Sequence, residues 1–271
     1  MTGLANRQVL DCTLRDGGYI NDWQFGKQAI RETFKRLVSS GVDFIEIGFL
    51  DNRRSFNENA TIQPNTQAFN EVFAGLDKGN ATVVGMIDFG TCTIHELQPA
   101  KDTLIDAIRV IFKQHKAAEA LAFCKEINAL GYKVFSQMVS ATTYSDEDLV
   151  AYAQMVNEVE PYGNGIVDTY GLMDDEKVRH IAQVLDKHLK PSIALGYHAH
   201  NNFQLGYANC VRFLNMDTER TLLVDGSLYG MGKSAGNAPL ELITNYMNEV
   251  MGTSYDTLQM LEAIDHVLLD I

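Results

Sequence analysis

Two histidines one residue apart, in Tyr197-His198-Ala199-His200-Asn201-Asn202, are the residues whose types and spacing most directly suggest chemistry. They follow Ser192-Ile193-Ala194-Leu195-Gly196, a short apolar run behind Pro191 that reads as a buried strand. Side chains two apart on a strand share a face, so His198 and His200 project together at its C-terminal end, as half of a metal site would. The pair is equally compatible with one packed and one solvated ring, so the other ligands must decide. Asp16, in Arg15-Asp16-Gly17-Gly18 after the first apolar run, offers a carboxylate. One carboxylate and two imidazoles suit an open divalent site, at which substrate oxygens are polarised.

Three further positions carry chemical weight. Arg15 is either half of a structural ion pair with its neighbour or a permanent positive charge beside an oxyanion. Glu46 alternates with apolar neighbours in Ile45-Glu46-Ile47, which turns its carboxylate toward an interior where it is costly unless paired, with Arg15 as the natural partner. The loop Gly230-Met231-Gly232-Lys233-Ser234-Ala235-Gly236-Asn237 is similar in form to a phosphate loop, but it lacks the G-x-x-x-x-G-K-[ST] spacing. A tight turn delivering Asn237, whose amide oxygen could complete a metal shell, is the better-supported reading.

To bring these residues together, the chain must curl its strand ends into one place. Strand-like runs occur at Val9–Leu14, Val42–Phe49, Ala81–Ile87, Ala107–Phe112, Lys133–Val139, Gly165–Tyr170, Ile193–His198 and Thr221–Val224. Helical patterns lie between most of them: Lys27–Ser40 with Gly41 as its C-cap, Ala117–Leu130, Asp146–Val159, Asp175–Leu189 and Gln204–Phe213. Thr93–Leu104 holds Pro99 and reads as a short or broken helix. Eight alternating units in 271 residues predict a (β/α)8 TIM barrel with an additional C-terminal helix, over an open doubly wound sheet. Catalytic groups then come from the C-terminal strand ends, where Asp16, Thr169, His198 and His200 fall. The long polar segment Asp51–Asn65 reads as a functional loop over those ends. Pro239–Met251 and Thr257–Ile271 close the chain. Leu258, Leu261, Ile264, Leu268 and Ile271 form a stripe expected to be buried against the barrel or a partner. Because the stripe runs to the last residue, a shortened chain, a missing C-terminal region or a homo-oligomer is expected.

Bulk properties narrow the function. At 46% hydrophobic and 21% charged, the chain suits a soluble globular protein with one large core, and a single domain over 1–271 is expected. A formal charge of −13 argues against nucleic-acid or anionic-membrane partners, though a local Arg or metal can still hold an anionic substrate. Cys12, Cys92, Cys124 and Cys210 lack paired spacing and read as reduced thiols. Met1 to Gln8 has no apolar signal core, so a cytoplasmic location is expected.

Arg15-Asp16-Gly17, Glu46, His198-x-His200 and Gly230-x-Gly232-x-x-x-Gly236-Asn237 together resemble the DRE-TIM metallolyase superfamily, which includes hydroxymethylglutaryl-CoA lyase and the isopropylmalate and homocitrate synthases. Ala238-Pro239-Leu240-Glu241 after the last loop makes the chain most similar to the barrel of the 4-hydroxy-2-oxovalerate aldolases. The resemblance implies a divalent metal, Mn2+ first with Mg2+ or Zn2+ as alternatives, on Asp16, His198, His200 and Asn237. It also implies carbon–carbon bond making or breaking through the metal-held enolate of a pyruvate-like 2-oxo acid. Arg15 would stabilise the enolate, Thr169 would bind a substrate carboxylate or carbonyl, and Glu46 would hold Arg15. Tyr19 occupies the place of the aldolases' catalytic His; with an ordinary pKa of ~10 it is a poorer base, able to act as acid or, if its pKa is lowered, as base. The aldolases' C-terminal extension, which docks a dehydrogenase, and the synthases' regulatory domain are not expected here. A Claisen-type acyl-CoA/2-oxo acid synthase is the enzymatic alternative. A metal-binding barrel serving as a binding module is the alternative of another class.

Overall fold

The computed structural model describes residues 6–271, so most of the Met1 to Gln8 stretch lies outside the described residues. The elements run β1 (Arg7–Asp11), α1 (Lys27–Ser40), β2 (Phe44–Leu50), β3 (Ile62–Gln63), α2 (Thr66–Val72), β4 (Thr82–Asp88), β5 (Ala107–Phe112), α3 (Ala117–Ala129), β6 (Lys133–Met138), α4 (Asp146–Val159), β7 (Gly163–Asp168), α5 (Asp175–His188), β8 (Ala194–Ala199), α6 (Gly206–Leu214), β9 (Leu222–Gly226), α7 (Leu240–Tyr246) and α8 (Thr257–His266). Parallel pairing follows the order β1-β9-β8-β7-β6-β5-β4-β2, and β1 pairs again with β2, which closes the barrel. The short β3 adds only to the outer end of β2. This is the (β/α)8 barrel that the alternation predicts. Between β4 and β5 the proline-containing stretch makes two 3-10 turns, Ile94–Glu96 and Ala100–Asp102, in place of a helix.

Strand periodicity explains how the interior changes from floor to site. Leu10, Phe44, Val84, Ala107, Phe135 and Leu223 pack together as an apolar plug. Two residues further along, the same inward faces of β2, β5, β6 and β9 carry Glu46, Arg109, Gln137 and Asp225, all buried. The larger apolar cluster lies between the outer faces of the strands and the helices, with Ile30, Phe34 and Leu37 of α1 as its contribution from the first helix. Gly41 ends α1 at φ 78°, the left-handed C-cap that its position predicts.

Several expectations change. The first strand stops at Asp11 rather than Leu14, because Arg15 N–H and Asp16 N–H both turn back to Cys12 O, at 3.2 and 2.7 Å. That turn lifts Asp16 over the barrel mouth. Asp51–Asn65 lies over the ends of β2 and β1 as expected, outside the central cavity's lining, and braces the β1 turn: Thr61 Oγ1 donates to Leu14 O at 2.6 Å and Thr61 N–H to Trp23 O at 3.1 Å. The terminal stripe is also rephased. Met260, Ala263, Ile264 and Leu268 are buried, whereas Leu258, Leu261 and Ile271 are exposed. Asp256 sets this roll by capping Leu258 and Gln259 N–H while its own N–H bonds Ser40 O at the end of α1, and the helix gives way to a 3-10 turn at Leu268. Among the described residues no helix is long and apolar enough to cross a membrane.

Candidate metal centre

Closure of the barrel brings Asp16, from the turn after β1, against β8. His198 lies near the end of β8, and His200 just beyond it, where its backbone bridges to Asn237. Asp16, His198 and His200 each offer a ligand atom, all within 4.8 Å of one another, and all three residues are buried. The imidazoles stand edge to face, with centroids 5.0 Å apart. The two rings thus share one buried cluster with Asp16, which is the arrangement a ligand pair requires.

An ion-pair chain of alternating sign encircles this cluster. Asp16 Oδ1 accepts from Arg15 Nη1; Arg15 Nε donates to Glu46 Oε2 at 2.7 Å; Arg109 Nη1 donates to Glu46 Oε1 at 3.2 Å. Arg109 Nη2 then reaches Asp225 Oδ2, which also bonds His198 Nδ1 at 2.9 Å. Buried charges so arranged are each paired, as a low-dielectric interior requires. Burial works to raise the pKa of Asp16, but Arg15, the two histidines and the Asn237 hydrogen bond hold it well below the usual carboxylate range. Asp225 is lowered too, its burial being outweighed by Arg109 and His198. His200 is pulled down to about 4 by burial, then by His198, so its ring is neutral near pH 7 with a lone pair to offer. Asp225 engages Nδ1 of His198, which leaves Nε2 as the free nitrogen, the usual division of labour for a carboxylate behind a metal-binding imidazole.

The structure offers two signs that these residues fit a cation. His200 Nδ1 and Asn237 Oδ1 are buried without hydrogen-bond partners among the described residues. Asn237 meanwhile commits its amide hydrogens to Asp16 Oδ2 at 2.8 Å and Met231 O at 3.1 Å, so it also positions Asp16. A Cβ at Gly232 would lie 2.3 Å from Asn237 Nδ2 and 2.7 Å from Asp16 Oδ2, so the glycine-rich loop packs directly on the ligand set. Its role is close approach, not phosphate cradling.

The HMGL-like family model matches residues 6–267. The chain belongs to the HMGL-like family. Among curated relatives, the 4-hydroxy-2-oxovalerate aldolase of Thermomicrobium roseum is 27% identical, covering 100% of this chain and 75% of its own length. That of Bacillus cereus is 27% identical over 92% of this chain and 71% of its own. Among solved structures, an N-terminal domain from Bacteroides vulgatus superposes with a TM-score of 0.81 at 22% identity, covering 97% of this chain and 87% of that one. The HMG-CoA lyase of Bacillus subtilis gives 0.77 at 18% identity, over 100% and 94%. The chain is thus a DRE-TIM barrel of the metal-dependent lyase and aldolase kind.

In this HMGL-like barrel the ligand cluster floors a cavity of about 100 Å3 whose walls include Arg15, Tyr19, Arg109, Gln137, Thr169 and Lys233. The Thr169 hydroxyl accepts from Ser140 N–H at 2.8 Å, which fixes it at the rim. Tyr19 stands edge-on to Trp23 at 4.7 Å with Lys233 Nζ 5.4 Å from its ring centre. Burial raises the Tyr19 pKa, and the opposing pull of Arg15 does not cancel it. The phenol therefore keeps its proton at neutral pH. Arg15, Asp16, Tyr19, Thr169, His198 and His200 meet at this cavity, with Glu46 and Asn237 bonded to Arg15 and Asp16 beside it. Arg109, Asp225 and Gln137 belong to this site as well, yet sequence reasoning missed them. Arg109 in Ala107-Ile108-Arg109-Val110 and Asp225 in Leu222-Leu223-Val224-Asp225 carry the signal that exposed Glu46: one charge at an inward position of an apolar strand.

Proposed function

We propose that this chain is a divalent-metal-dependent aldolase that makes or breaks the carbon–carbon bond beside a pyruvate-like 2-oxo acid. The convergence of Asp16, His198 and His200 within 4.8 Å at the floor of a small polar cavity carries this reading. These three residues, with Asn237 alongside, would hold the cation, which supplies Lewis-acid polarisation of substrate oxygens. The family resemblance puts Mn2+ first, with Mg2+ and Zn2+ as alternatives that the same nitrogen and oxygen donors would accept.

The chain's own groups do the rest. Arg15, fixed from behind by Glu46, presents its guanidinium where the 2-oxo acid develops enolate charge. Arg109 keeps Glu46 from rotating away and also anchors Asp225. The Thr169 hydroxyl orients the substrate carboxylate at the rim. In the condensing direction the methyl carbon of the 2-oxo acid loses a proton to solvent base and adds to the aldehyde carbon, and the aldehyde oxygen gains a proton. Tyr19 Oη, kept protonated by its surroundings, is the donor to that oxygen. Tyr19 is thus assigned as the acid of the condensing direction.

The aldolase relatives make 4-hydroxy-2-oxovalerate the first compound to try. The Mn2+-loaded protein should release pyruvate from it or from a related 4-hydroxy-2-oxo acid, read by coupled lactate dehydrogenase. Chelation should abolish release, and in the condensing direction Tyr19→Phe should lower kcat by about a hundredfold or more, the usual worth of a general acid. Metal binding with no cleavage of any such acid would refute the aldolase reading and favour a binding module.

A further inference from the structure

The inner cavity, about 100 Å3, lies against the Asp16, His198 and His200 cluster and would take the 2-oxo acid half of an aldol product. It opens past Tyr19, Thr169 and Lys233 into an outer chamber of about 520 Å3, to which the same three residues contribute. The half of the substrate remote from the 2-oxo acid would extend into that adjoining chamber. Its wall adds Lys113, Ser140 and Thr143, with Asp88 as its one carboxylate among the described residues. Lys113 and Lys233 are exposed, and neither has a carboxylate within 4.0 Å among the described residues, although the chain as a whole is strongly acidic. Lys233 is held in place at both ends: its N–H donates to Asp16 Oδ2 at 3.3 Å, and its ammonium lies over the Tyr19 ring. A cation stacked on a ring and lacking an acidic partner keeps its donors free for an incoming oxyanion.

We propose that the outer chamber is an anion subsite, in which Lys233, assisted by Lys113, binds a carboxylate or phosphate on the aldehyde half of the substrate. The inference rests on the aldol reading of the inner site and adds the class of acceptor, an aldehyde bearing a second negative group. Lys233 is then the residue that separates charged from neutral acceptors. A neutral aldehyde leaves both ammonium groups unused, whereas an anionic one gains charge-assisted hydrogen bonds in a chamber partly shielded from water.

The test uses the full chain loaded with Mn2+, pyruvate and matched acceptors. Butanal is compared with succinate semialdehyde, and glyceraldehyde with glyceraldehyde 3-phosphate. In at least one pair the charged aldehyde should be favoured about tenfold or more in kcat/KM, as expected for one charge-assisted hydrogen bond, and the pair that responds names the anion. Lys233→Met should collapse that ratio, and Lys233→Arg should largely keep it. A binding measurement separates this inference from the aldol reading. Titration of the metal-free protein with succinate and with inorganic phosphate, followed by the fluorescence of Trp23, which touches Tyr19, should show saturation in the wild type and at least tenfold weakening in Lys233→Met. Anion binding lost in that variant supports the subsite even if no condensation occurs. Saturation by neither anion, an unaltered titration in Lys233→Met, or equal use of charged and neutral aldehydes overturns it.

Discussion

Asp225→Asn is the most informative single change. Asp225 is 1% exposed and accepts from both His198 Nδ1, at 2.9 Å, and Arg109. An asparagine keeps the shape but not the charge, and an amide nitrogen can stand where the one oxygen Oδ2 now serves both donors. If its amide hydrogens meet Nδ1, that nitrogen must become an acceptor, and the imidazole proton moves to Nε2, the nitrogen left free for a cation. Loss of a carboxylate behind a ligand histidine costs about 10- to 100-fold in metal affinity. The same change strips the buried Arg109 of one of its two counter-charges, and breaking a buried pair from one side costs about 3–5 kcal/mol. Mn2+ titration by calorimetry or electron paramagnetic resonance reads the first effect, and urea unfolding of the metal-free protein reads the second. Removing both charges in Asp225→Asn/Arg109→Met should cost less stability than the two single changes summed, by about 1 kcal/mol or more. Wild-type Mn2+ affinity together with an unchanged urea midpoint in Asp225→Asn would refute the reasoning.

Two other positions test the packing of the site and its surroundings. Gly232→Ala places a methyl 2.3 Å from Asn237 Nδ2, in a backbone conformation alanine tolerates, so metal affinity should fall at least about tenfold while circular dichroism is unchanged. Asp11, fully buried and bonded only to Thr13 N–H and hydroxyl, has its pKa pushed from 3.8 up to about 7, chiefly by burial. Its folded state holds the proton more tightly than the unfolded chain does. This group therefore costs nothing below about pH 4, and its penalty grows as pH rises from 4 to 7, to a few kcal/mol at ~1.4 kcal/mol per unit. Urea midpoints at pH 4.5 and 7.5 should therefore fall less in Asp11→Asn than in the wild type; parallel changes in the two proteins would show that Asp11 is not the source.

Much of this architecture was legible because barrel physics writes itself into periodicity. The eight main strands announce themselves as short apolar runs, and α1 by its Ile30, Phe34 and Leu37 spacing and its terminal Gly41. The candidate cluster was legible because His198, His200 and Asp16 fall at strand ends, where the fold collects chemistry. What escaped depends on relations between distant strands. Arg109 and Asp225 look like isolated charges until closure sets them against Glu46 and His198. The roll of α8 is set by Asp256 reaching Ser40, which no helical stripe encodes. Asp51–Asn65 does lie over the ends of β1 and β2, but its task was not legible: its polarity serves backbone bonds to the β1 turn, and polarity alone does not distinguish bracing from binding.

The central claim is that Asp16, His198 and His200 assemble a centre that promotes enolate formation. Loss of methyl protons from pyruvate in D2O, followed by NMR with the Mg2+-loaded protein, tests it most directly. Exchange should require added divalent metal, stop on chelation, and vanish in Asp16→Ala with the fold intact. Exchange that persists in Asp16→Ala, or its absence with pyruvate and every small 2-oxo acid in a protein that binds metal, would contradict the account.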